Sequence, residues 1–560
     1  MTPKRILVAA ALGAIAVAYA LPLQSTGCAQ TAHYAAIRAY AHGTPYIDRY
    51  AGETCDVVHT HGHYYAAKAP AMDFWAVPWY LLLHAVGAVP ANRHAGEAYP
   101  AAMLGVPQRA LWEMGLWVVV LPALGLLALL RRTVERLEPG LGLAAAAVLG
   151  LATLVLPFST LLFPQVPAAA LTFLAFSFLF GRGGRLPRVA AAGAAAGLAV
   201  STDLPFVLPA VALALYAAAG APRLRRLAAF TIGGLVGLAP LLFFDWWAFR
   251  NPLHTPYSGV AVNPGGGGVE LAPGEGRGFF SLHVPSGRVA VELLLSQRGL
   301  LVLTPVLAAA AAGVVLLRRR GLQREAWLVA GLAVAAVVLN SGRGSLELAL
   351  GGWSPGPRYL VALLPLLCFA LAPALRRAPA TVGALALVSA GAMVVATSAE
   401  PLLQNDDTRH WLSRIGHGNF TPTVVSLGGV GHGWLAIVPF YALVLVAAAA
   451  ATAATRLPVA RRDLATAAAA VVAWLLVEHG APELLRVDRA VHQWYGVAAA
   501  VLLVAGAAWS VLRLRPEGLP LLAFATVRFA DHTKWALLLT VLVLAGLAVS
   551  ERLRHHPLPA

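Results

Sequence analysis

Long apolar runs constrain this chain more than any other feature. ILVAAALGAIAVAYALPL (6–23), ALWEMGLWVVVLPALGLLALL (110–130) and ATVGALALVSAGAMVVATSA (380–399) are typical. Each is about as long as the roughly 20 residues that cross a hydrocarbon core. Lipid offers a backbone no hydrogen-bond partners, so every such run must be helical. The expected fold class is therefore all-α, a polytopic transmembrane helical protein. With 59% hydrophobic and 12% charged residues over 560 positions, a water-soluble globule is excluded. A net charge of +16 would suggest a nucleic-acid partner in a soluble protein, but here it collects in short clusters between apolar spans.

Those clusters orient the chain. Lys4 and Arg5, RRTVER (131–136), RGGR (182–185), RLRR (223–226), RRRGLQR (318–324), RR (376–377), RLPVARR (456–462) and RLR (513–515) belong on the cytoplasmic side. Polar stretches at about 24–108, 158–166, 248–298, 340–357, 400–433 and 478–495 then face outward, which implies about 13 spans. The first span has the look of a signal peptide, but Ser25 stands where a lipobox before Cys28 wants Leu, so an uncleaved anchor is expected. FWAVPWYLLLHAVGAVP (74–90) is apolar yet short, and crossing there would force RRTVER outside. It reads as a juxtamembrane or re-entrant helix.

The first external loop (about 24–108) is thus the largest. In AQTAHYAAIRAYAHG (29–43), Tyr34, Ile37 and Tyr40 recur at helical spacing and suit an interfacial helix. Cys28 and Cys55 share this loop, and outside a bacterial-type membrane they are candidates for a bridge. Cys368 falls within a span and reads as a small hydrophobe. No internal repeat or soluble terminal domain is visible, and VNPGGGGVELAPGEG (262–276) reads as a flexible loop.

The chemistry concentrates in one segment, CDVVHTHGHYYAAKAP (55–70), preceded by PYID. Asp48 and Asp56 therefore lie near Lys68 and three histidines. A carboxylate that takes a proton from a hydroxyl, beside a cation that holds a phosphate, is the minimum equipment for group transfer from a phosphate-linked carrier. APAMDFW (69–75) offers an apolar shelf behind the lysine. His59, His61 and His63 form a weak divalent-metal set, since alternating histidines lack a fixed geometry; polar substrate contact or loop filler is the competing reading. Asp203, in STDLP, falls where two helices meet at the outer face. An acid so near hydrocarbon is costly unless paired or facing a wet cavity, which makes it a site candidate. Arg358 opens a span and is either an interface anchor or a phosphate clamp. The tryptophans at 75, 79, 246, 247 and 353 suit an aromatic belt.

GHYYAAKAP (62–70) is similar to the "G-x-x-Y-x-x-K-P-P" pattern in the first external loop of the GT-C superfamily of membrane glycosyltransferases. That superfamily includes protein O-mannosyltransferases and the aminoarabinose transferase of lipid A. The longer stretch 43–83 resembles a bacterial branch of it, as do GGWSPGPRYLVALLP (351–365) and SQRGLLVLTPVL (296–307). The resemblance covers about residues 1–375 as a catalytic transmembrane module, with 376–560 as additional C-terminal helices. It implies a sugar donor linked to polyprenyl phosphate, used on the extracytoplasmic face of a bacterial plasma membrane. The acceptor would be an envelope glycan, lipid or protein, and direct attack would invert the sugar's configuration. Lys68 would grip the carrier phosphate, with Arg358 as a second clamp. His61, His63, Tyr64, Tyr65 and Asp203 would contact substrate.

The chain departs from the family in its acids. The acidic pair expected just after the first span is replaced by Ala29 and Gln30, and the next external loop, LLFPQVPA (161–168), offers only Gln165. Asp48 becomes the first candidate base and Asp56 the second. No cofactor is implied beyond the divalent-metal alternative. A transporter or lipid flippase of envelope precursors is the competing function class. Such proteins place ionisable groups near the midplane of two similar halves, and no halves are visible here.

Overall fold

The computed structural model describes residues 3–181, 185–255, 257, 260–261, 283–343, 345–402, 409–484, 490–516, 518–528 and 541–543. The expected loop at 262–276 lies outside them. Helix dominates, as lipid requires. Among the described residues seven helices are long and apolar enough to cross a membrane: Pro3–Ala20 (α1), Gln108–Leu137, Gln323–Ser341, Arg358–Arg377, Pro379–Ala399, Trp434–Thr455 and Gly496–Arg513. Two bent pairs bring the number to nine if each is one span, and three shorter apolar helices add to the bundle. Among the described residues, helices of full length account for seven to nine of the expected 13 spans. Broken and short helices occupy part of the bundle, and a 95° bend falls at Pro305, which cannot donate to the preceding turn.

The bundle has two chemically distinct ends. At one, Lys4 pairs with Glu135 at 3.3 Å, Glu138 bridges Arg320 and Arg376, and Arg377 donates to the Leu512 carbonyl. Four of the basic clusters thus meet in one place, with Leu512 adjoining a fifth. At the other, the Gln24 amide donates to Thr160 (2.8 Å) and to the Thr397 carbonyl, and Leu23 N donates to the Pro422 carbonyl. Three of the polar stretches expected to face outward, those at about 24–108, 158–166 and 400–433, meet there. Helix α1 runs between the ends, with Lys4 at the first and Ala20, which accepts from Trp112 Nε1, at the second.

The Arg358–Arg377 helix sits at the centre of the core, with 89% of its span buried. The helix Gln165–Leu179 packs on it and, on another side, on Leu186–Thr202, which crosses Arg223–Gly237 backbone to backbone. Gly193 and Gly197 on one face Gly233 and Gly237 on the other, so closely that a Cβ at Gly193 or Gly233 would run into the partner's carbonyl oxygen. This is the small-residue spacing by which helices associate in lipid, where apolar bulk gives no drive. Ser201 reinforces it by donating to the Gly237 carbonyl at 3.0 Å.

The first loop folds into a compact unit. Cys28–Ala41 (α2) packs on Ala71–Ala85 (α3), and the segment between them forms a hairpin, Val57–Thr60 (β1) with His63–Ala66 (β2). Val260–Ala261 (β3) adds a third strand on the other edge of β1. The turn holds two residues, His61 and Gly62, both at positive φ (51° and 78°), the geometry that matches strand twist. The expected interfacial helix over 29–43 is a helix but not an interfacial one: residues 28–40 are all buried in protein. Its polar groups explain why, since Arg38 is neutralised by Glu53 while lying 4.3 and 4.0 Å from the ring centroids of Tyr34 and Tyr50. The Cys28–Cys55 disulfide is formed, with Cα atoms 5.1 Å apart, and Cys368 is buried in its span.

Candidate functional site

Two positions twelve residues apart meet because the hairpin folds. Asp56 precedes β1 and Lys68 follows β2 by two residues, so closing the strands places them side by side; Ala67 N donates to the Asp56 carbonyl at 3.0 Å. The Lys68 ammonium then forms an ion pair with the Asp56 carboxylate. The lysine side chain is nearly enclosed, whereas a third of the aspartate's remains open. Burial pushes the Asp56 carboxyl up, but the Lys68 charge and hydrogen bond, then Arg358 and His33, outweigh it and hold the group below its usual range.

Three distant segments converge on this pair. Asp203 caps the break between Leu186–Thr202 and Leu204–Ala218, placed there by the glycine crossing, and is buried. Burial raises its carboxyl to about 6, against the pull of Arg358, His33, Lys68 and a 3.0 Å hydrogen bond from the Gln165 amide. Gln165, the lone polar side chain of the 161–168 stretch, is therefore part of the cluster. Arg358 arrives at the head of the central helix. Its other end carries Arg376 at the basic end of the bundle, so Arg358 lies at the opposite one. Its Nη2 donates to the Tyr359 hydroxyl at 3.1 Å, and its buried Nε has no protein partner among the described residues. Gly351 makes room for it. This glycine sits at φ 93°, and a Cβ there would collide with the Arg358 guanidinium. Tyr257 shares the electrostatic neighbourhood of Asp203, Tyr359, Asp56 and Arg358.

A second buried pair, His33 on α2 and Asp73 on α3, lies beside these groups. His33 Nδ1 donates to Asp73 Oδ1 at 2.7 Å, and both side chains are wholly enclosed. His33 Nε2 and Asp73 Oδ2 have no partner among the described residues. Burial pushes the Asp73 carboxyl up, and His33 and Lys68 pull it back. The sequence reading missed both: His33 falls in a run taken for an amphipathic helix, and Asp73 in the segment taken for an apolar shelf. The readable signal was their helical placement, with His33 one turn beyond the Ala29 and Gln30 positions and Asp73 in the first turn of α3.

The remaining sequence candidates lie elsewhere on the hairpin. Asp48 does not touch Lys68. Its Oδ2 accepts from His63 Nδ1 at 2.6 Å and its Oδ1 from Tyr64 N at 2.7 Å, so both oxygens hold the base of β2. Tyr46 stacks on the His63 ring with centroids 4.1 Å apart. His59 packs on Tyr64, His61 on Phe249 and His254, and Tyr65 is buried against Phe249. The three histidines thus go to different neighbours, and among the described residues no three His, Cys, Asp or Glu side chains gather as a metal site.

No family model matches the chain, and no curated protein matches it. Two solved structures are similar in fold. They are ArnT from Cupriavidus metallidurans bound to undecaprenyl phosphate (18% identity, TM-score 0.42) and the same protein in the apo state (17%, 0.41). Each match covers 95% of this chain and 77% of that one.

Proposed function

We propose that this protein is a membrane glycosyltransferase that takes a sugar from a polyprenyl-phosphate carrier, on the face opposite its basic clusters. The observation that carries the reading is the convergence of Lys68, Asp56, Asp203 and Arg358 from three parts of the chain. Two cations at one polar end of an apolar bundle suit a charged lipid headgroup, and the positive-inside rule makes that end extracytoplasmic in a bacterial plasma membrane.

In this reaction the acceptor oxygen bonds to the anomeric carbon as the bond from that carbon to the phosphate oxygen breaks. The electron pair leaves on the phosphate, where Lys68 and Arg358 meet the charge it gains; Arg358 brings a guanidinium Nε with no protein partner among the described residues. The acceptor's proton goes to a carboxylate. Asp56 is held ionised and committed to Lys68, while Asp203, raised to about 6, is suited to take and release a proton near neutral pH. Asp48, with both oxygens engaged, serves the hairpin instead. A single displacement inverts the sugar. His61, His63 and Tyr64 lie toward the turn of the hairpin, at the end away from the Asp56–Lys68 pair, where they offer contacts to a more distant part of the polar substrate.

A flippase would need its ionisable groups near mid-membrane, and these lie at one end of the bundle. The decisive assay follows release of polyprenyl phosphate by purified protein given a lipid-linked sugar and an envelope acceptor. Turnover that depends on Lys68 supports the reading, and turnover of nucleotide sugars without a lipid carrier refutes it.

A further inference from the structure

A groove of about 500 Å³ opens at the other end of the bundle, between the helix Gly142–Leu151, the first half of Pro379–Ala399 and the last turns of Trp434–Thr455. It has the size of a small-ligand site. Its walls are small and apolar, with Ala147, Gly383, Ala386, Ala390 and Ala448 leaving the space. From Pro379 to Ala390 it runs eleven helical residues, about 16 Å deep.

The mouth is basic. Arg456 lines it, exposed, just past the end of the Trp434–Thr455 helix, and Arg461 and Arg462, also exposed, open the next helix, Arg461–Leu484. None of the three has an acidic partner among the described residues. The nearest acid in sequence, Asp463, is turned inward. It accepts from Ala380 N at 2.7 Å and from Thr381 N and Thr381 Oγ1, capping the neighbouring helix. Uncompensated positive charge therefore crowns an apolar slot at the end of the molecule where the basic clusters meet.

We propose that this groove binds an anionic glycerophospholipid, with one acyl tail between the helices and the phosphate at Arg456, Arg461 and Arg462. Basic pockets between membrane helices select such headgroups. The occupant is not the sugar carrier, because the groove opens at the end opposite Lys68 and its depth suits a single tail. The site joins three helices, two of them in the C-terminal part of the chain, so a lipid there acts as a packing element between them. This inference does not depend on the proposed activity.

The test is native mass spectrometry on the full chain, extracted in mild detergent and reconstituted in nanodiscs of defined mixtures of anionic and zwitterionic phospholipid. One anionic phospholipid should stay bound per chain in preference to the zwitterionic one. Each of Arg456→Ala and Arg461→Ala should weaken retention by roughly five-fold. Gly383→Leu, which fills the slot, should abolish it, and the exposed arginine variants keep the test valid if that change disturbs folding. Equal retention of both lipid classes, retention unchanged in the arginine variants, or recovery of a polyprenyl phosphate from this groove overturns the proposal.

Discussion

Replacing Lys68 by alanine probes the centre of the argument, because it acts on folding and on turnover by separate amounts. Its ion pair with Asp56 is neither buried nor open: the lysine side chain is 12% exposed and the aspartate 33%. A fully exposed pair contributes at most about 1 kcal/mol and a broken buried one costs about 3–5 kcal/mol, so a loss of about 2 kcal/mol in stability is expected. That loss has a defined pH dependence. Asp56 is depressed below its ordinary value of 3.8 in the folded protein, so its contribution is fully present above that value and is lost as the pH falls through the depressed one. Parent and variant should therefore differ at pH 7 and converge under strongly acidic conditions. Turnover should fall further, by roughly 10²–10³, the usual effect of removing one group that stabilises developing negative charge. Lys68→Arg should recover part of it, since the charge returns with altered geometry. The assays are thermal unfolding across pH and release of polyprenyl phosphate. A Lys68→Ala protein that keeps turnover within about two-fold of the parent, or whose stability deficit is the same at every pH, refutes the reasoning.

Other predictions follow from the same geometry. Asp203 binds its proton more tightly folded than unfolded, so its burial lowers stability as pH rises from about 4 to 6; Asp203→Asn should gain on the parent across that window by up to about 3 kcal/mol and flatten the acid limb of the rate profile near pH 6. Removing His33 strands Asp73 in an enclosed site, so His33→Ala should cost about 3–5 kcal/mol in chemical unfolding, more than Asp73→Asn with His33 retained. Reduction of Cys28–Cys55, which are 27 positions apart, should lower stability by about 3.5 kcal/mol on the chain-entropy account, measurable as a fall in melting temperature with reductant. Gly351→Ala should lower turnover more than stability, since strain of about 1–3 kcal/mol falls on the residue beside Arg358.

The helical class and its two-ended charge pattern were legible because both follow from one-dimensional properties, run length and the spacing of basic clusters. Helix α3 was legible for the same reason, since its apolar run is too short to span. The hairpin was not: VVHT and HYYA are only four residues each, and histidine at a left-handed turn position is not a strong turn signal. Without the hairpin, Asp48 ranks ahead of Asp56 beside Lys68, and the strand register reverses the order by pairing Asp56 with the lysine. The enclosure of α2 was hidden because its buried polar groups, His33 and Arg38, are each answered by an acid distant in sequence, which no local pattern records. Arg358 and Asp203 were visible as isolated costs near hydrocarbon, but their meeting with Lys68 depends on helix packing and a glycine crossing.

The Asp56–Lys68 pair is made entirely within one hairpin near the amino terminus, whereas Asp203 and Arg358 are contributed much later along the polypeptide. During synthesis the ion pair can therefore form while most of the bundle is still unmade. It shields the lysine until the guanidinium arrives, so a nascent chain halted before residue 358 would carry the lysine paired with Asp56 and lack the second cation of the cluster.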